Sequence, residues 1–507
     1  MSEFTDQLDL VSENVGGRVL TASDDFFAPK ENLIKATKPV WIEDKYTDRG
    51  KWMDGWESRR RRTPGHDWCV LQLGVPGILS QIIVDTSYFR GNFPESCSLE
   101  ACAVEQTNVE LAGGTPWSEV LPRSQLKGDS QNVFTIRDRY RYTHLRLNIF
   151  PDGGVARLRV FGQVVPELGE VVGTQEEIDL AAVQHGGRII DCSDRFFSAP
   201  QNLLMPAKSS GMHDGWETRR RRGPGHDWVT LRLGVTGRIR SVEVDTSFFK
   251  GNFPESCSLE TCVLESSNAE ATNCCWSELL PPTKLRADSI ERFEVVPGAL
   301  ATHVRFNIYP DGGVARLRIH GVPDKDSLMQ ARLRWLNSLP DYAARSVLLN
   351  CCGSLRWADA MTGSRPFSTG AALLDAHVQS CERLTAEDWK EAFAAHPQIG
   401  EHKETVSSGQ AQRWSRQEQS SVVAVAAPQR KALQLKNGEY YSRFGYMFIV
   451  CASGKSAEEI LAMLRERLHN DPARELELAA AEQNKITQLR LQKLIGAQDD
   501  RFSGLTT

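Results

Sequence analysis

The order of apolar and polar positions divides the chain into a β-rich part and a helical part. Up to about residue 323, short stretches of alternating apolar and polar residues, such as CVLQLGV, SQIIVDTSYF and THLRLNIF, are separated by Gly, Pro, Asn and Asp. A period of two is typical of strands with one buried face, and such turn residues separate strands. After residue 327, apolar residues recur at helical spacing, as in SLMQARLRWLNSL. We therefore predict all-β sandwich or jelly-roll domains followed by an all-α domain.

The β-rich part is an internal duplication. The segment DGWESRRRRTPGHDW, which begins at Asp54, returns as DGWETRRRRGPGHDW at Asp214. GNFPESCSLE occurs twice without change, and NIFPDGGVARLR at Asn148 matches NIYPDGGVARLR at Asn307. Self-similarity at one interval marks tandem copies of a domain. We predict two β-domains at residues 1–165 and 166–323, and a helical domain at residues 327–500.

The strand before the PDGG turn has a polar face in both copies. Apolar residues alternate there with a histidine, an arginine and an asparagine, and side chains alternate between the faces of a strand. These polar residues are His144, Arg146 and Asn148 in the first copy, and His303, Arg305 and Asn307 in the second. The strand after the turn places two arginines on one face, Arg157 with Arg159, and Arg316 with Arg318. The pattern predicts either a carboxylate-binding site or a solvated face with cross-strand pairing.

The DGWE…RRRR…GHDW segment has so many charged and turn-forming residues that we predict a loop. It supplies acids and a histidine in each copy: Asp54, Glu57, His66 and Asp67, and then Asp214, Glu217, His226 and Asp227. Such groups polarise water or bind a divalent ion. The alternative is that these carboxylates form structural salt bridges with the arginine run.

The motifs DGWE(S/T)RRRR, GHDW, VDTS(Y/F)F, GNFPES and NI(F/Y)PDGGVARLR resemble those of allantoicases over residues 14–323. The resemblance implies two jelly-roll domains of galactose-binding-like fold that hydrolyse allantoate to (S)-ureidoglycolate and urea. Allantoate carries a carboxylate and two ureido groups on one carbon, so its site needs cations, amide-like hydrogen bonds and a general acid.

Candidate substrate-binding residues follow from that chemistry. They are Asp54, Glu57, His66, His144, Arg146 and Arg157, with Asp214, Glu217, His226, His303, Arg305 and Arg316 in the second copy. A divalent metal ion is a candidate cofactor. The competing hypothesis is a non-catalytic module that binds a small molecule or carbohydrate. Sugar sites usually expose aromatic platforms, whereas the repeated polar positions here are Arg, His, Asp and Asn.

Helix-start signals recur in the helical part. Thr385 with Asp388, and Ser456 with Glu459, have the spacing of capping boxes, and Asp471–Pro472 begins a long final helix. His396 falls on the apolar face of the helix that Thr385 starts, a position that suits either a pocket or a structural histidine. Ser415 and Glu418 also have capping-box spacing, so Glu418 is either a helix cap or a functional carboxylate.

The motifs CCGSLRWADAM, RPF, AHPQIG, SxxEQ, RFGYMFI and KITQLRL resemble those of decarboxylases of OHCU (2-oxo-4-hydroxy-4-carboxy-5-ureidoimidazoline) over residues 327–500. The resemblance implies a cofactor-free decarboxylation that yields (S)-allantoin. It assigns His396 as acid/base and Glu418 as the carboxylate placed against the leaving carboxylate. The matching substrate-binding positions are Pro397, Ser415, Gln419 and Arg490.

The amino-acid composition limits the classes of binding partner that we expect. The formal net charge of −5 does not favour nucleic acid or anionic lipid, so we expect small-molecule substrates, no membrane, and a homo-oligomer. No apolar run is long enough for a membrane span, and the amino terminus does not resemble a signal peptide. The scattered cysteines predict reduced thiols. We expect a cytoplasmic location, with the peroxisome as the alternative although the final residues do not match its SKL-type signal.

Overall fold

The computed structural model describes residues 7–104, 115–168, 176–264, 275–295, 300–396, 427–452 and 455–496. It divides into two compact units, Met1–Pro340 and Asp341–Thr507. The first unit contains the duplicated sheets and the second is helical, which confirms the predicted fold class.

Each copy of the duplication forms an eight-stranded antiparallel sheet system with the same strand order. The strands of the first copy are β1 (Leu8–Asp9), β2 (Arg18–Ala22), β3 (Tyr46–Thr47), β4 (Gly50–Lys51), β5 (Trp56–Glu57), β6 (Asp67–Asp85), β7 (Ser96–Cys102), β8 (Ser118–Gln125), β9 (Gln131–Thr135), β10 (Arg141–Phe150), β11 (Gly154–Val155) and β12 (Arg157–Val164). Those of the second copy are β13 (Ile178–Asp179), β14 (Arg188–Cys192), β15 (Trp216–Glu217), β16 (Asp227–Asp245), β17 (Ser256–Cys262), β18 (Ser277–Lys284), β19 (Ile290–Glu294), β20 (Leu300–Tyr309), β21 (Gly313–Val314) and β22 (Arg316–Pro323).

One long strand joins the two layers of each sandwich. The sequence pattern predicts two strands, CVLQLGV and SQIIVDTSYF, but β6 is continuous over 19 residues. Its first half pairs with β10 and β2, and its second half pairs with β12 and β9. Strand β6 changes partners around Gly74 and Pro76. Before them Gln72 pairs with His144, and after them the next pairs are formed by Gly77. Turn-type residues therefore mark a change of partner rather than the end of a strand.

The predicted DGWE…GHDW loop is partly core. Trp56 and Trp216 are fully buried, and the short strands β5 and β15 that contain them pair with β11 and β21. The Trp56 Nε1–H group donates to the Asp24 carbonyl at 2.8 Å. A tryptophan that satisfies its single donor packs into a core despite charged neighbours.

The PDGG turn requires its glycines for two reasons. Gly153 has a φ of +134°, which L side chains rarely adopt. A Cβ on Gly154 would lie 1.9 Å from the Phe89 ring, and the same holds for Gly313 and Phe249. The motif repeats because both copies need this close approach.

Three of the described helices begin where the sequence predicts a capping signal. The described helices are α1 (Lys325–Ser338), α2 (Asp341–Leu349), α3 (Leu355–Gly363), α4 (Gly370–Cys381), α5 (Ala386–Ala394), α6 (Ala427–Phe444), α7 (Ala457–Arg467) and α8 (Pro472–Ile495). Thr385 and Ser456 form complete capping boxes, and the Asp471 side chain caps α8. Trp389 and Phe393 stack on one face of α5 as predicted.

Helix α1 belongs to the β-rich unit. Leu328 and Ala331 pack with Leu168 and Val235 in a small buried cluster. The Ser327 hydroxyl accepts from the Thr236 N–H at 3.0 Å, and Arg332 Nε donates to the Leu168 carbonyl at 2.7 Å. The helix thus closes the second copy.

The structure also tests the expectations about membrane-spanning segments and reduced cysteines. In the parts of the chain that it covers, no helix is long and apolar enough to cross a membrane. Cys69, Cys97 and Cys257 are free thiols, as expected, but Cys262 is disulfide-bonded.

Candidate active sites

A polar pocket of 440 Å³ lies on the outer face of the first sheet system. We call it the strand-face pocket, and it is lined by His66, Trp68, Ser98, Glu100, Glu119, Arg146, Asn148 and Phe150. The register explains its assembly, because Arg146 stands opposite Glu100, and Asn148 opposite Ser98 and Trp68. Of the sequence candidates, His66 and Arg146 are brought together here.

Hydrogen bonds order the floor of this pocket. Arg146 Nε and Nη2 both lie 2.7 Å from Glu100 Oε2, and Asn148 Nδ2 donates to the same oxygen at 2.9 Å. The Arg146 guanidinium also lies over the Trp117 ring, 4.9 Å from its centroid. The predicted cross-strand pairing is therefore present, on a face that also forms a pocket.

The second copy repeats the residues but not all of the bonds. Asn307 Nδ2 donates to Ser258 Oγ and Glu260 Oε2, each at 3.2 Å, and Asn307 Oδ1 has no hydrogen-bond partner among the described residues. Arg305 Nε and Trp276 Nε1 are also buried, and neither has a partner in the described parts of the chain. Arg305 lies between two indoles, 4.4 Å from the centroid of Trp276 and 5.4 Å from that of Trp228. Two donors and one acceptor therefore remain available to a ligand.

Several members of this face could not be recognised from the sequence pattern. They are the carboxylates and hydroxyls of β7 and β17 and the tryptophans beside them: Glu100, Glu260, Ser98, Ser258, Trp117 and Trp276. Glu100 and Ser98 alternate with the buried Leu99 in the unchanged CSLE segment, and this alternation was the available signal. Only the register shows that they face Arg146 and Asn148.

Asp54 and Arg157, both sequence candidates, form a buried ion pair elsewhere. Arg157 Nη2 lies 2.7 Å from Asp54 Oδ2, and the same guanidinium donates to the carbonyls of Thr37, Asp54 and Ala156. Arg316 and Asp214 repeat the pair at 2.9 Å. The Arg157 guanidinium holds the pKa of Asp54 below its usual range although burial opposes this. These arginines tie the loop to β12 and β22.

Alternate members of the arginine run are paired with aspartates. Arg59 lies 2.6 Å from Asp24, and Arg61 lies 2.7 Å from Asp67. Arg219 with Asp194 and Arg221 with Asp227 repeat the arrangement. The salt-bridge alternative thus describes alternate arginines of the run, and the others are exposed.

Glu57 lines a different, 630 Å³ cavity with Trp41, Tyr88 and Asn92, which we call the loop cavity. Asn92 Nδ2 donates to Glu57 Oε1 at 2.7 Å, and burial raises the pKa of Glu57. Asn252 holds Glu217 in the same way in the second copy. Glu57 and Glu217 are therefore separated from the arginines of the strand-face pocket.

The histidines of β10 and β20 are buried. His144 and His303 each contact the preceding threonine hydroxyl through Nδ1 at 2.8 Å. Burial and, after it, the positive charges of Arg232 and Arg188 lower the pKa of His303 to about 4. His144 does not line the strand-face pocket.

A second site lies in the helical unit, where α8 carries three buried polar residues on one face. Gln483, Thr487 and Arg490 follow each other at helical spacing, and Arg490 Nη1 donates to the Asn350 carbonyl at 3.3 Å. Gln483 Nε2 donates to Thr487 Oγ1 at 3.2 Å. Their common spacing was the signal that would have indicated Gln483 and Thr487 from sequence.

His396 lies beside this face. Burial and, after it, the positive charge of Arg490 lower the pKa of His396 to about 3, although a hydrogen bond with Gln483 opposes the shift. His396 follows the end of α5 and is neutral near pH 7. We call the group of His396, Gln483, Thr487 and Arg490 the helical pocket. The other candidates, Pro397, Ser415, Glu418 and Gln419, lie outside the described residues.

Known proteins resemble both parts of the chain. A family model described as Allantoicase repeat matches residues 8–165 and 178–324, and one described as OHCU decarboxylase matches residues 337–492. A probable allantoicase of Pseudomonas aeruginosa (strain UCBPP-PA14) is 48% identical over 326 residues, covering 63% of this chain and 97% of that protein. The corresponding protein of Photobacterium profundum is 46% identical over 324 residues, with the same coverage. A crystal structure of allantoicase from Saccharomyces cerevisiae is 34% identical and covers 62% of this chain and 94% of its own, with a TM-score of 0.53.

Proposed function

Because the chain belongs to the allantoicase family and carries an OHCU decarboxylase domain, we propose that its two reactions occur in the strand-face pockets and in the helical pocket. The protein is a bifunctional enzyme of ureide catabolism that acts on small molecules. The two family matches confirm the predicted activities. The protein hydrolyses allantoate to (S)-ureidoglycolate and urea, and it decarboxylates OHCU to (S)-allantoin. The family match favours this function over the non-catalytic binding module.

One observation carries the placement of allantoate: the unpartnered Arg305 Nε, Trp276 Nε1 and Asn307 Oδ1 on one strand face. The donors suit the substrate carboxylate, and the acceptor suits a ureido N–H. Buried polar groups without partners cost stability, so such a group is expected where a ligand binds.

The proposed hydrolysis uses the residues around that face. Arg305 and Asn307 hold the substrate, and His226 donates a proton to the nitrogen of the departing urea as water supplies the new hydroxyl. His226 packs 4.7 Å from the Tyr309 ring, which orients its imidazole. The first copy places His66 against Phe150 at 4.6 Å in the same way.

The proposed decarboxylation uses the neutral His396. OHCU decarboxylases are a cofactor-independent family, so the protein's own groups orient the substrate and move its protons. Arg490 and Gln483 orient amide edges of the substrate, and His396 exchanges a proton near the substrate hydroxyl. The resemblance to OHCU decarboxylases assigns Glu418 to repel the leaving carboxylate. It also assigns Pro397, Ser415 and Gln419 to substrate binding.

Arginine substitutions test the first placement. To test the two copies separately and together, we compare Arg146→Ala, Arg305→Ala and the double variant. Losing a charge-assisted contact of about 1.5–3 kcal/mol should lower kcat/KM for allantoate in the double variant by roughly 10- to 150-fold. The single variants show which copy works, and we expect Arg305→Ala to account for most of the loss. Arg137→Ala, which removes an exposed arginine, is the control.

A change below about twofold in the double variant would place the site in the loop cavity around Glu57. Repeating the assay with a chelator tests whether a divalent ion takes part.

We also propose a homo-oligomer in the cytoplasm, with the peroxisome as the alternative location. Light scattering of the purified protein and imaging of a tagged copy test these two points.

A further inference from the structure

A third cavity, of 500 Å³, lies where the two copies and α1 meet. We call it the inter-repeat cavity. Arginines from three elements line it: Arg188 on β14, Arg232 on β16 and Arg334 on α1. Gln163 from the first copy and Gln201 from the second add amide groups. None of the described residues that line the cavity is acidic.

The three positive charges lack counter-ions within the described parts of the chain. No ion pair or side-chain hydrogen bond involves Arg188, Arg232 or Arg334 there, whereas Arg61, Arg157, Arg219 and Arg318 each have an acidic or carbonyl partner. Burial lowers the pKa of the half-buried Arg232, and the charges of Arg188 and Arg334 lower it further. Burial also lowers the pKa of Arg334. Like charges held together around a cavity create a positive potential that attracts anions.

The first copy provides an internal comparison. In the first copy, Gln72 pairs with Arg18 and His144. In the second copy, Arg232 occupies the same register position, opposite Arg188 and His303. The strand therefore accepts a neutral amide at this position without change of register. The fold does not require the charge of Arg232, so the charge is available for binding.

We propose that the inter-repeat cavity binds a compact oxyanion with two or more negative charges, such as pyrophosphate. Guanidinium groups bind such anions through paired, charge-assisted hydrogen bonds, and amides from both copies contribute further donors. This site is separate from the strand-face pockets, and it does not depend on the placement of allantoate. An anion there would bridge the first copy, the second copy and α1.

Calorimetric titration of the full chain with sodium pyrophosphate at low ionic strength tests the proposal. We expect a dissociation constant below roughly 1 mM for the wild type. Arg232→Gln, which installs the residue of the first copy, should weaken binding by about tenfold or more. Arg240→Gln removes the same charge from an exposed position on the same strand and should bind like the wild type. A parallel titration with citrate distinguishes phosphate from carboxylate chemistry, and binding of either anion with this pattern supports the site.

The proposal would be overturned if neither anion bound the wild type at concentrations about ten times higher than the expected dissociation constant. Equal affinities of Arg232→Gln and Arg240→Gln would also overturn it, because the attraction would then be a property of the general surface. If Arg232→Gln does not fold, as judged by circular dichroism, Arg334→Gln on α1 takes its place with the same expected loss.

Discussion

Arginine side chains in the duplicated part fall into two groups that differ in their partners. Arg157 and Arg316 are almost fully buried, and their donors are bonded to the protein. Arg305 has a buried donor with no partner among the described residues. A buried arginine whose donors are all bonded within the protein has none left for a ligand, whereas an unsatisfied donor is available to one. The chemical type is the same, and only the surroundings assign the role.

The decarboxylase residues give a prediction at this scale. If the charge of Glu418 helps to expel carbon dioxide, Glu418→Gln should lower decarboxylation about a hundredfold or more. His396→Asn should lower it similarly and leave the melting temperature nearly unchanged. Rates of OHCU consumption measure both effects, and allantoate hydrolysis by the same samples is the control. A near wild-type rate for Glu418→Gln would leave Glu418 as a helix cap, because Gln also serves at that capping position.

His377 gives a pH-dependent prediction. Its Nδ1 accepts from Trp357 Nε1 at 3.2 Å, and burial lowers its pKa to about 4 from the ordinary 6.5. The folded state therefore favours the neutral imidazole. Stability is complete above about pH 6.5 and is lost as the pH falls towards 4, by about 2 kcal/mol at pH 5. Urea unfolding of the helical unit at pH 7.5 and pH 5 should show this loss.

A variant pair separates His377 from the other titrating groups. His377→Gln should reduce the difference between the two pH values by about 2 kcal/mol, and His469→Gln, at an exposed position, should leave it unchanged. The lowered pKa of His396 causes a further loss at pH 5 that both variants retain. An unchanged difference in His377→Gln would mean that other groups cause the acid sensitivity.

At the scale of elements, α1 is the helix whose assignment matters most. The sequence places it at the start of the helical domain, yet its contacts with Leu168, Val235 and Thr236 lie within the first unit. Leu328 is fully buried in that contact. We propose that the functional boundary follows α1, near Pro340, rather than preceding it.

Two fragments of the β-rich part test this boundary. Burial of a leucine contributes about 1.5–3 kcal/mol, so residues 1–340 should melt several degrees above residues 1–324. The complementary fragment 341–507 should fold and decarboxylate OHCU alone. Equal melting temperatures of the two β-rich fragments would return the boundary to residues 323–327.

At the scale of the whole molecule, one chain carries two reactions. We place allantoate hydrolysis in the first unit and OHCU decarboxylation in the second. The product of decarboxylation is a closed ring, whereas the substrate of the hydrolase is the opened acid. A ring-opening hydrolysis must therefore act between them. The fusion joins two steps of one route that are not consecutive.

The sequence alone determined the duplication, the fold classes, the helix starts and the two activities. These depend on local periodicity, capping residues and motif identity, which are encoded in neighbouring positions. It could not determine which polar residues share a site. The pairing of Arg146 with Glu100, the burial of Asp54 against Arg157, and the meeting of Arg188, Arg232 and Arg334 depend on strand register and on packing between distant segments. Only the tertiary structure fixes these, because contacts between residues far apart in sequence exist only after the chain has folded.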